Sequence, residues 1–444
     1  MAVPRHPGED QSNSLREELA RQEPASQRTF TPSLAVIERS AGVFHWTPEG
    51  RRLFDFTSGV LVANLGHNPP DWWERWRRYL SSGAPLTAYN AATPVEVAAN
   101  RGLLDLVRSR PGGQRLEQVL WAASGSEAIH KALAAALAFR RPRDTILATR
   151  HGFHGKKGLA NAVTGCESDP DRDPRVQFIS FPMAECRDLS QRNEPFDSTQ
   201  YRRELESAWS RHRGQIAALI TEPYLGGGGS FHPPAAYLRL LQDFCREHEI
   251  VFILDEVQSN FGRTEKLFAF ETYGLEPDLV VLGKSLANGV PVAAVVGRRD
   301  ILASQSYGEA SDTWSANPLS GAAVRATLDA YADGGLLERR TMASEIVERG
   351  LVRLKELPSV AAVRGERHGM VWGVETCDYD GRSASDWANA IVEWCYRGDG
   401  TTGIHLLGPL AQRVIRIAPP LVLTPEQAAD ALELMHRILV ERMN

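Results

Sequence analysis

The chain has 444 residues, a formal charge of −5, 43% hydrophobic and 24% charged residues, the composition of a globular protein too long for one compact core. Its lysines and arginines are not concentrated in any stretch, so the sequence predicts neither nucleic acid nor an anionic membrane as a partner. No apolar run approaches the ~18 residues of a membrane span, and small molecules are therefore the expected ligands.

The five cysteines are odd in number and far apart, and none belongs to a CxxC pair. This pattern fits neither a zinc site nor a disulfide framework, and it indicates a reducing compartment. Residues 1–28 are polar and lack the apolar segment of a signal peptide. We therefore expect a flexible N-terminal tail and a cytoplasmic protein.

Short apolar runs alternate with helical patterns between about residues 117 and 300, which predicts a parallel sheet wrapped by helices. The runs are continuously apolar, as in strands that are covered on both faces. The predicted strands are 118–122, 145–148, 217–221, 250–254, 279–282 and 292–296. The predicted helices are 127–139, 234–248, 321–331, 336–357 and a last one that Thr424, Pro425 and Gln427 begin with a capping box.

Reactive residues fall where several of these strands end, which is where ligands bind in open α/β sheets. Asp255 and Glu256 follow one strand directly, although an acidic pair there also suits a turn or helix cap. Lys284 follows another strand, where an ammonium group is costly unless it is paired or deprotonated. The sequence around Lys284 does not form a nucleotide-binding P-loop, because Asp278 stands where that motif needs a glycine.

Two more groups follow earlier strands. Ser124, Gly125 and Ser126 precede a helix whose first amides could hold a phosphate, although Ser124 and Glu127 also form the pattern of a capping box. The segment 151–156, HGFHGK, has two histidines three positions apart. No other histidine, cysteine or acidic residue stands close enough in sequence to complete a metal site, so we predict no metal.

Taken together, these groups match the needs of pyridoxal phosphate. That cofactor requires a phosphate cup, an aromatic residue on its ring, a carboxylate at its pyridine nitrogen, and a lysine amine that binds it and moves protons. The sequence therefore predicts a pyridoxal-phosphate enzyme in which Lys284 carries the cofactor as a Schiff base.

From about Phe44 to the C-terminus the motifs resemble, in order, those of the class III (ω-amino-acid) aminotransferases of fold type I. The resemblance implies an α/β fold, with a large domain around a mostly parallel seven-stranded sheet and a smaller α+β domain built from both termini. The expected boundaries are a flexible tail at 1–28, the N-terminal part of the small domain at 29–85, the large cofactor-binding domain at 86–334, and the C-terminal small domain at 335–444.

The same resemblance assigns cofactor contacts to the motifs SGSEA, HGFHG and DEVQSNFGRT, the lysine segment and DTWSANP. Lys284 and Asp255 are the implied catalytic residues. The implied cofactor-binding residues are Gly125 and Ser126 on the phosphate, Phe153 stacked on the ring, Val257 against the ring, Asp255 on the pyridine nitrogen, Gln258 near the phenolic oxygen, Lys284 as the Schiff base, and Thr313 reaching the phosphate across a dimer interface.

Three further positions are implied at the substrate. Arg416 matches the arginine that binds the substrate carboxylate, and Val60 matches an apolar substrate-site position. Lys156 stands where related enzymes have an arginine, and a lysine offers a less directional contact for a carboxylate. Gly227 replaces a glutamate that masks the carboxylate-binding arginine in 4-aminobutyrate and ornithine aminotransferases, which speaks against a dual-substrate enzyme of those kinds.

The resulting hypothesis is a homodimeric transaminase with shared active sites. An amine or an ω- or α-amino acid would give its nitrogen to the cofactor, and a 2-oxo acid, pyruvate or 2-oxoglutarate, would take it. Two alternatives stay open. A decarboxylase, racemase or lyase would keep the cofactor and break another substrate bond, and a non-catalytic scaffold would keep only the fold.

Overall fold

The computed structural model describes residues 3–170, 172–332 and 334–443. The chain forms two compact units. We call Met1–Pro69 with Gly335–Asn444 the terminal unit, and Pro70–Gly334 the central unit.

The strands of the described residues, in chain order, are β1 (Arg39–Ala41), β2 (Phe44–Trp46), β3 (Arg52–Asp55), β4 (Gln118–Ala122), β5 (Thr145–Thr149), β6 (Val176–Ile179), β7 (Ile216–Thr221), β8 (Val251–Asp255), β9 (Leu279–Leu282), β10 (Ala293–Gly297), β11 (Val360–Gly365), β12 (Trp372–Thr376), β13 (Thr402–His405) and β14 (Val414–Ile417). The six predicted strands are confirmed as β4, β5, β7, β8, β9 and β10, with ends that agree to within one residue.

The α-helices of the same residues are α1 (Asp10–Gln22), α2 (Ser58–Leu61), α3 (Pro70–Leu80), α4 (Pro94–Arg108), α5 (Gly125–Phe139), α6 (Gly158–Ala162), α7 (Thr199–Arg211), α8 (Ala235–Glu247), α9 (Ala269–Tyr273), α10 (Arg299–Leu302), α11 (Pro318–Ala332), α12 (Leu336–Arg353), α13 (Ala384–Arg397) and α14 (Pro425–Met443). The predicted capping box is present at the start of α14, where the Gln427 amide donates to Thr424 Oγ1 (3.2 Å) and the Thr424 amide donates to Gln427 Oε1 (3.0 Å).

The central unit is built on a seven-stranded sheet of order β4-β10-β9-β8-β7-β5-β6. Only β10 runs against its neighbours β4 and β9, and the other pairings are parallel. The sheet is therefore mostly parallel, as predicted. Its edge strand β6 was not among the six predicted strands, because it has four residues and Gln177 interrupts its apolar run.

The start of the central unit differs from the predicted domain boundary at 85/86. Helix α3, Pro70–Leu80, packs on α11 within the central unit. Trp72 anchors it, because its indole is buried and Nε1 donates to the Thr327 hydroxyl at 2.9 Å. A tryptophan that needs both an apolar pocket and an acceptor fixes this helix to its partner.

The terminal unit contains two small sheets, one of order β1-β2-β3-β13 and one of order β11-β12-β14. The first of them joins the two ends of the chain, because β13 pairs in parallel with β3. No helix among the described residues is long and apolar enough to cross a membrane.

Residues 3–28 differ from the flexible tail expected of them. Helix α1 forms there, and Arg16 on it is buried together with Glu9, at 2.6 Å between Nη2 and Oε2. Tyr396 of α13 donates to Glu9 (2.9 Å) and accepts from Arg16 (2.9 Å). In the sequence these charged residues suggest a solvated tail. In the structure they pair with one another inside the terminal unit, where removal of one partner would be costly.

Candidate active site

A cavity of about 200 Å³ lies at the carboxyl ends of the central strands. Four connections that follow β4, β5, β8 and β9 form its wall. The lining residues are Ser124, Gly125, Ser126, Phe153, His154, Gly155, Asp255, Val257, Gln258 and Lys284. Seven of the eight predicted cofactor-binding residues therefore lie around one cavity in the central unit.

The turn before α5 combines the two interpretations that the sequence left open. The capping box is present, with the Glu127 amide donating to Ser124 Oγ (3.3 Å) and the Ser124 amide donating to Glu127 Oε2 (3.1 Å). Gly125 and Ser126 are then the first helical residues, whose amides have no acceptor within the helix. The cap therefore fixes a helix start whose free amides and positive dipole end face the cavity, as an anion site requires.

The loop after β5 rests directly on this helix start. Gly155 has a φ of 136°, and a β-carbon at that position would collide with the Ser126 side chain. The Lys156 amide donates to Ser126 Oγ at 3.3 Å. Only glycine permits both the backbone conformation and the close approach, so residue 155 couples the loop after β5 to the start of α5.

Asp255, the last residue of β8, is 4% exposed and forms a short pair with His154. Its Oδ2 lies 2.7 Å from His154 Nδ1, and its Oδ1 accepts from the Val257 amide at 3.0 Å. Burial alone would lower the pKa of His154, but the hydrogen bond and charge of Asp255, with the charge of Glu222, raise it above the ordinary value. A cationic imidazole stabilises a neighbouring carboxylate, which suits Asp255 to hold a protonated ring nitrogen.

Glu222 follows β7 and connects three parts of the site. Its Oε2 accepts from the Phe153 amide (2.9 Å), and its Oε1 accepts from Gln258 Nε2 (3.2 Å) and the Gly226 amide (3.3 Å). Burial, opposed by the charge of His154 and reinforced by that of Asp255, raises the pKa of Glu222 to about 7. Sequence reasoning missed both Glu222 and His154 as site residues. The available signal was that Glu222, like Asp255, is an acid at the end of a continuously apolar strand.

The glycine run 226–229 packs against residues of the cavity wall. A β-carbon on Gly227 would lie 2.7 Å from the β-carbon of Phe153, and one on Gly228 would lie 2.8 Å from the His151 carbonyl oxygen. Neither position accepts a side chain without displacing its neighbour. The run is thus a packing surface beneath Phe153.

Lys284 begins a single 3-10 turn, Lys284–Ala287, immediately after β9 and Gly283. Its φ of 47° lies in the left-handed region, which costs a non-glycine residue about 1–3 kcal/mol and persists only where the surroundings impose it. The next residue is fixed by a hydrogen bond from Ser285 Oγ to Asn260 Oδ1 at 2.5 Å. The lysine is therefore held at the cavity wall by a constrained backbone.

Thr313 is not among the residues that line this cavity. It lies in a loop that Lys131 holds in place. Lys131 Nζ donates to Asp312 Oδ2 (2.6 Å), Ser315 Oγ (2.8 Å) and the Trp121 carbonyl (2.8 Å). Burial would raise the pKa of Asp312, but the bonds from Lys131 and Ser315 bring it down to about 2. The loop therefore has a defined conformation.

The remaining predicted substrate residues, Val60 and Arg416, belong to the terminal unit. Val60 is 37% exposed and has a φ of 65° in the short helix α2. Arg416 is buried on β14, opposite Gly373 of β12.

The residues around the cavity fit pyridoxal phosphate. Gly125 and Gly155 keep the part of the cavity next to the start of α5 free of β-carbons, which would meet Val257 and Ser126. Phe153 is 39% exposed and presents an aromatic surface, while Asp255 and Lys284 provide the charged partners. These are the donor and acceptor types that the cofactor's phosphate, ring and aldehyde require.

Comparison with known proteins decides the family, since the model of class III aminotransferases matches residues 25–439. The chain belongs to the class III aminotransferases. It is 26% identical over 423 residues to acetylornithine aminotransferase of Oceanobacillus iheyensis, covering 94% of this chain and 96% of that protein. It is 30% identical over 444 residues to 2-aminoadipate transaminase of Pseudomonas putida, covering 94% and 99%.

A solved structure supports the same assignment. The (S)-enantioselective omega-transaminase from Thermomicrobium roseum matches with a TM-score of 0.81 and 26% identity, over 97% of this chain and 95% of that chain. This class III aminotransferase is thus a pyridoxal-phosphate-dependent enzyme that transfers an amino group to a 2-oxo acid. The predictions of family, fold class, cofactor and reaction are confirmed, and the relatives favour transamination over the other reactions and over a non-catalytic scaffold.

Proposed function

We propose that Lys284 is the covalent anchor of pyridoxal phosphate, as a Schiff-base lysine, and the group that moves the proton during amino transfer. The observation that carries this proposal is the position of Lys284 on the wall of a cavity that Asp255, Ser126 and Phe153 also line. When bound, the cofactor supplies an electron-withdrawing ring that stabilises the charge left on a substrate carbon. The Lys284 amine can act as a base only when it is deprotonated, and a neighbouring cation or burial favours the deprotonated form.

Asp255 would hold the pyridine nitrogen in its protonated form. His154 supports this role because its Nδ1 lies 2.7 Å from Asp255 Oδ2 and fixes the orientation of the carboxylate. Glu222 would act through Phe153 and Gln258, which both donate to it. His154 and Glu222 are thus positioning residues, and Val257 with Phe153 would enclose the ring.

The phosphate would bind the amides of Gly125 and Ser126, with Thr313 supplied by a second copy in a homodimer with shared active sites. Support comes from the Thr313 loop, which is fixed by Lys131 yet exposes Tyr307 fully and Trp314 at 66%. Aromatic residues so exposed on an ordered loop are typical of a surface that another chain covers.

For the substrates, we propose Arg416 for the acceptor's carboxylate, Lys156 for a second, distal carboxylate, and Val60 for the apolar part. The acceptor would be pyruvate or 2-oxoglutarate, and the donor an amine or an ω- or α-amino acid. Gly227 lacks a side chain that could mask Arg416. The five free cysteines support a cytoplasmic location.

The test is Lys284→Ala, with Lys266→Ala, an exposed lysine, as the matched control. Borohydride reduction followed by peptide mass spectrometry should place the cofactor on residue 284 in the wild type and the control only. Amino transfer from a panel of amines to pyruvate and 2-oxoglutarate should fall by roughly 10²–10⁴-fold in Lys284→Ala. Cofactor trapped on another lysine, or activity near the control's, would refute the assignment.

A further inference from the structure

A second group of titratable residues lies in the terminal unit and takes no part in the proposed chemistry. His45 lies on β2, Asp55 ends β3, His67 follows α2, and His405 ends β13. Asp55 is completely buried, His45 and His405 are nine-tenths buried or more, and the His67 side chain is 18% exposed. Three imidazoles thus surround one buried carboxylate.

His45, Asp55 and His67 lie close enough together to share one ion after a small adjustment in which the hydrogen bond between Asp55 and His67 opens. Asp55 Oδ2 is 2.7 Å from His67 Nε2 and 3.5 Å from His45 Nε2. One ligand atom from each of these three residues lies within 4.8 Å of the others. Atoms bound tetrahedrally to zinc at about 2.0–2.1 Å are separated by about 3.3–3.4 Å, so the two measured separations fall on either side of that value.

The ligand atoms are also oriented by bonds on their far sides. Oδ1 of Asp55 accepts from the Thr57 amide (2.8 Å), the Thr57 hydroxyl (2.7 Å) and the Ser58 amide (3.1 Å). His45 Nδ1 is paired with Ser40 Oγ at 2.7 Å, which leaves Nε2 directed at Asp55. Outer partners of this kind fix the tautomer and the ring orientation of metal ligands.

His405 supplies an independent observation. Its Nδ1 is buried and has no hydrogen-bond partner among the described residues, and it lies 3.9 Å from Asp55 Oδ1. An unsatisfied buried nitrogen costs about 1–3 kcal/mol. A cation between the carboxylate and the three rings would give this nitrogen a partner.

We propose that His45, Asp55, His67 and His405 bind one divalent transition-metal ion, with Zn²⁺ the expected occupant. Three imidazoles and one carboxylate form a set that favours zinc-like ions over Mg²⁺ or Ca²⁺, which prefer oxygen. Four protein ligands leave no open position, so the ion is structural rather than catalytic.

The ion would brace a strained part of the chain. Between the ligands Asp55 and His67, four consecutive residues have left-handed φ values: Ser58 at 49°, Gly59 at 59°, Val60 at 65° and Leu61 at 62°. Non-glycine residues in this region cost about 1–3 kcal/mol each unless their surroundings hold them. Ligands on both sides of the run would hold it.

The other candidate cluster among the described residues serves as a control. Glu206, Glu247 and His248 also lie close together, but they are partly exposed. Arg202 is 3.2 Å from Glu247 and 3.5 Å from Glu206 and supplies the positive charge there. We therefore expect no ion at that cluster.

The experiment uses the holoenzyme after dialysis against a chelator and titrates it with ZnCl₂ by calorimetry. We expect one zinc per chain. Ser40→Ala should weaken binding about 10-fold, as outer partners of metal ligands do, and His405→Leu should weaken it more. His248→Gln should bind zinc like the wild type. Circular dichroism and the absorbance of the bound cofactor verify that each variant is folded.

A crystal soaked in ZnCl₂ gives a second measurement that needs no variant. The expected anomalous difference peak lies between Asp55 and the three imidazoles. The absence of a peak there, stoichiometric binding that persists in His405→Leu, or binding that His248→Gln abolishes would each overturn the proposal.

Discussion

Each of the two units contains a buried aspartate paired with a histidine, and the two pairs serve different purposes. In the central unit, Asp255 Oδ2 lies 2.7 Å from His154 Nδ1, and in the terminal unit Asp55 Oδ2 lies 2.7 Å from His67 Nε2. Asp255 lines a cavity of about 200 Å³, whereas Asp55 is fully buried.

The difference lies in what the rest of each carboxylate does. Asp255 Oδ1 accepts one protein bond, from the Val257 amide, and the carboxylate still reaches the cavity. Asp55 Oδ1 accepts three, and His45 and His67 approach Oδ2. The two aspartate–histidine pairs therefore differ in whether the carboxylate reaches a cavity.

The largest expected effect tests the Asp255–His154 pair, whose carboxylate reaches the cavity. Asp255→Asn removes the charge that would hold a protonated ring nitrogen and should lower kcat for amino transfer by roughly 10²–10³-fold. The carboxamide oxygen can still accept from His154, so the fold should persist. Initial rates with a fixed donor and pyruvate measure the effect, and a kcat within about threefold of the wild type would contradict it.

A substitution in the Asp55–His67 pair, whose carboxylate is fully buried, should lower the stability of the protein. Asp55→Asn leaves its histidine partners without a buried counter-charge and should lower the free energy of unfolding by about 3–5 kcal/mol. Burial would raise the pKa of Asp55, but hydrogen bonds from His45 and His67 hold it well below the ordinary value. Urea denaturation with a chelator present measures this loss. The control is Asp173→Asn, whose partly exposed pair with Arg175 should be worth no more than about 1 kcal/mol.

A pH titration extends the comparison to Glu222, the buried acid beside the Asp255–His154 pair. Burial raises the pKa of Glu222 from 4.5 to about 7, so the folded state binds a proton more tightly than the unfolded state. The wild type should therefore lose about 3 kcal/mol relative to Glu222→Gln as pH rises from about 4.5 to about 7, with the full cost present above that window. Urea denaturation of both proteins at several pH values tests this, and parallel stability profiles would refute it.

The smallest expected effect concerns the glycine run. Gly227→Ala places a β-carbon 2.7 Å from the Phe153 side chain, and overpacking of this kind costs about 1–3 kcal/mol. We expect cofactor binding to weaken about tenfold, measured by fluorescence titration of the apoenzyme. Gly321→Ala is the matched control, because its nearest atoms would lie at 3.8 Å or more. Equal cofactor affinity in the two variants would count against this packing argument.

The residues that line the cavity could be predicted because their signal is local. Strand ends, a helix start and a motif each occupy a few consecutive positions, and the sheet brings them to one edge. Lys284 and Asp255 are examples, since each follows an apolar strand. Their partners were harder to find: His154 was noticed only as half of a two-histidine motif, and Glu222 was missed.

Features that depend on distant positions could not be predicted in this way. The histidine cluster draws on residues 45, 55, 67 and 405, a spacing that suggests no metal motif. Helix α1 was missed because the burial of Arg16 depends on Tyr396, far along the chain. Charged side chains predict solvent exposure until a specific partner is known.

The parallel pairing of β3 with β13 also sets an order of events during synthesis. The N-terminal strands are made first, but the neighbour that completes their sheet, β13 at Thr402–His405, is made only after the whole of the central unit. The central unit lies wholly between these segments, so it can finish folding while the edge of β3 is still open. An open strand edge attracts other chains, and the nascent protein is therefore exposed to aggregation during this interval.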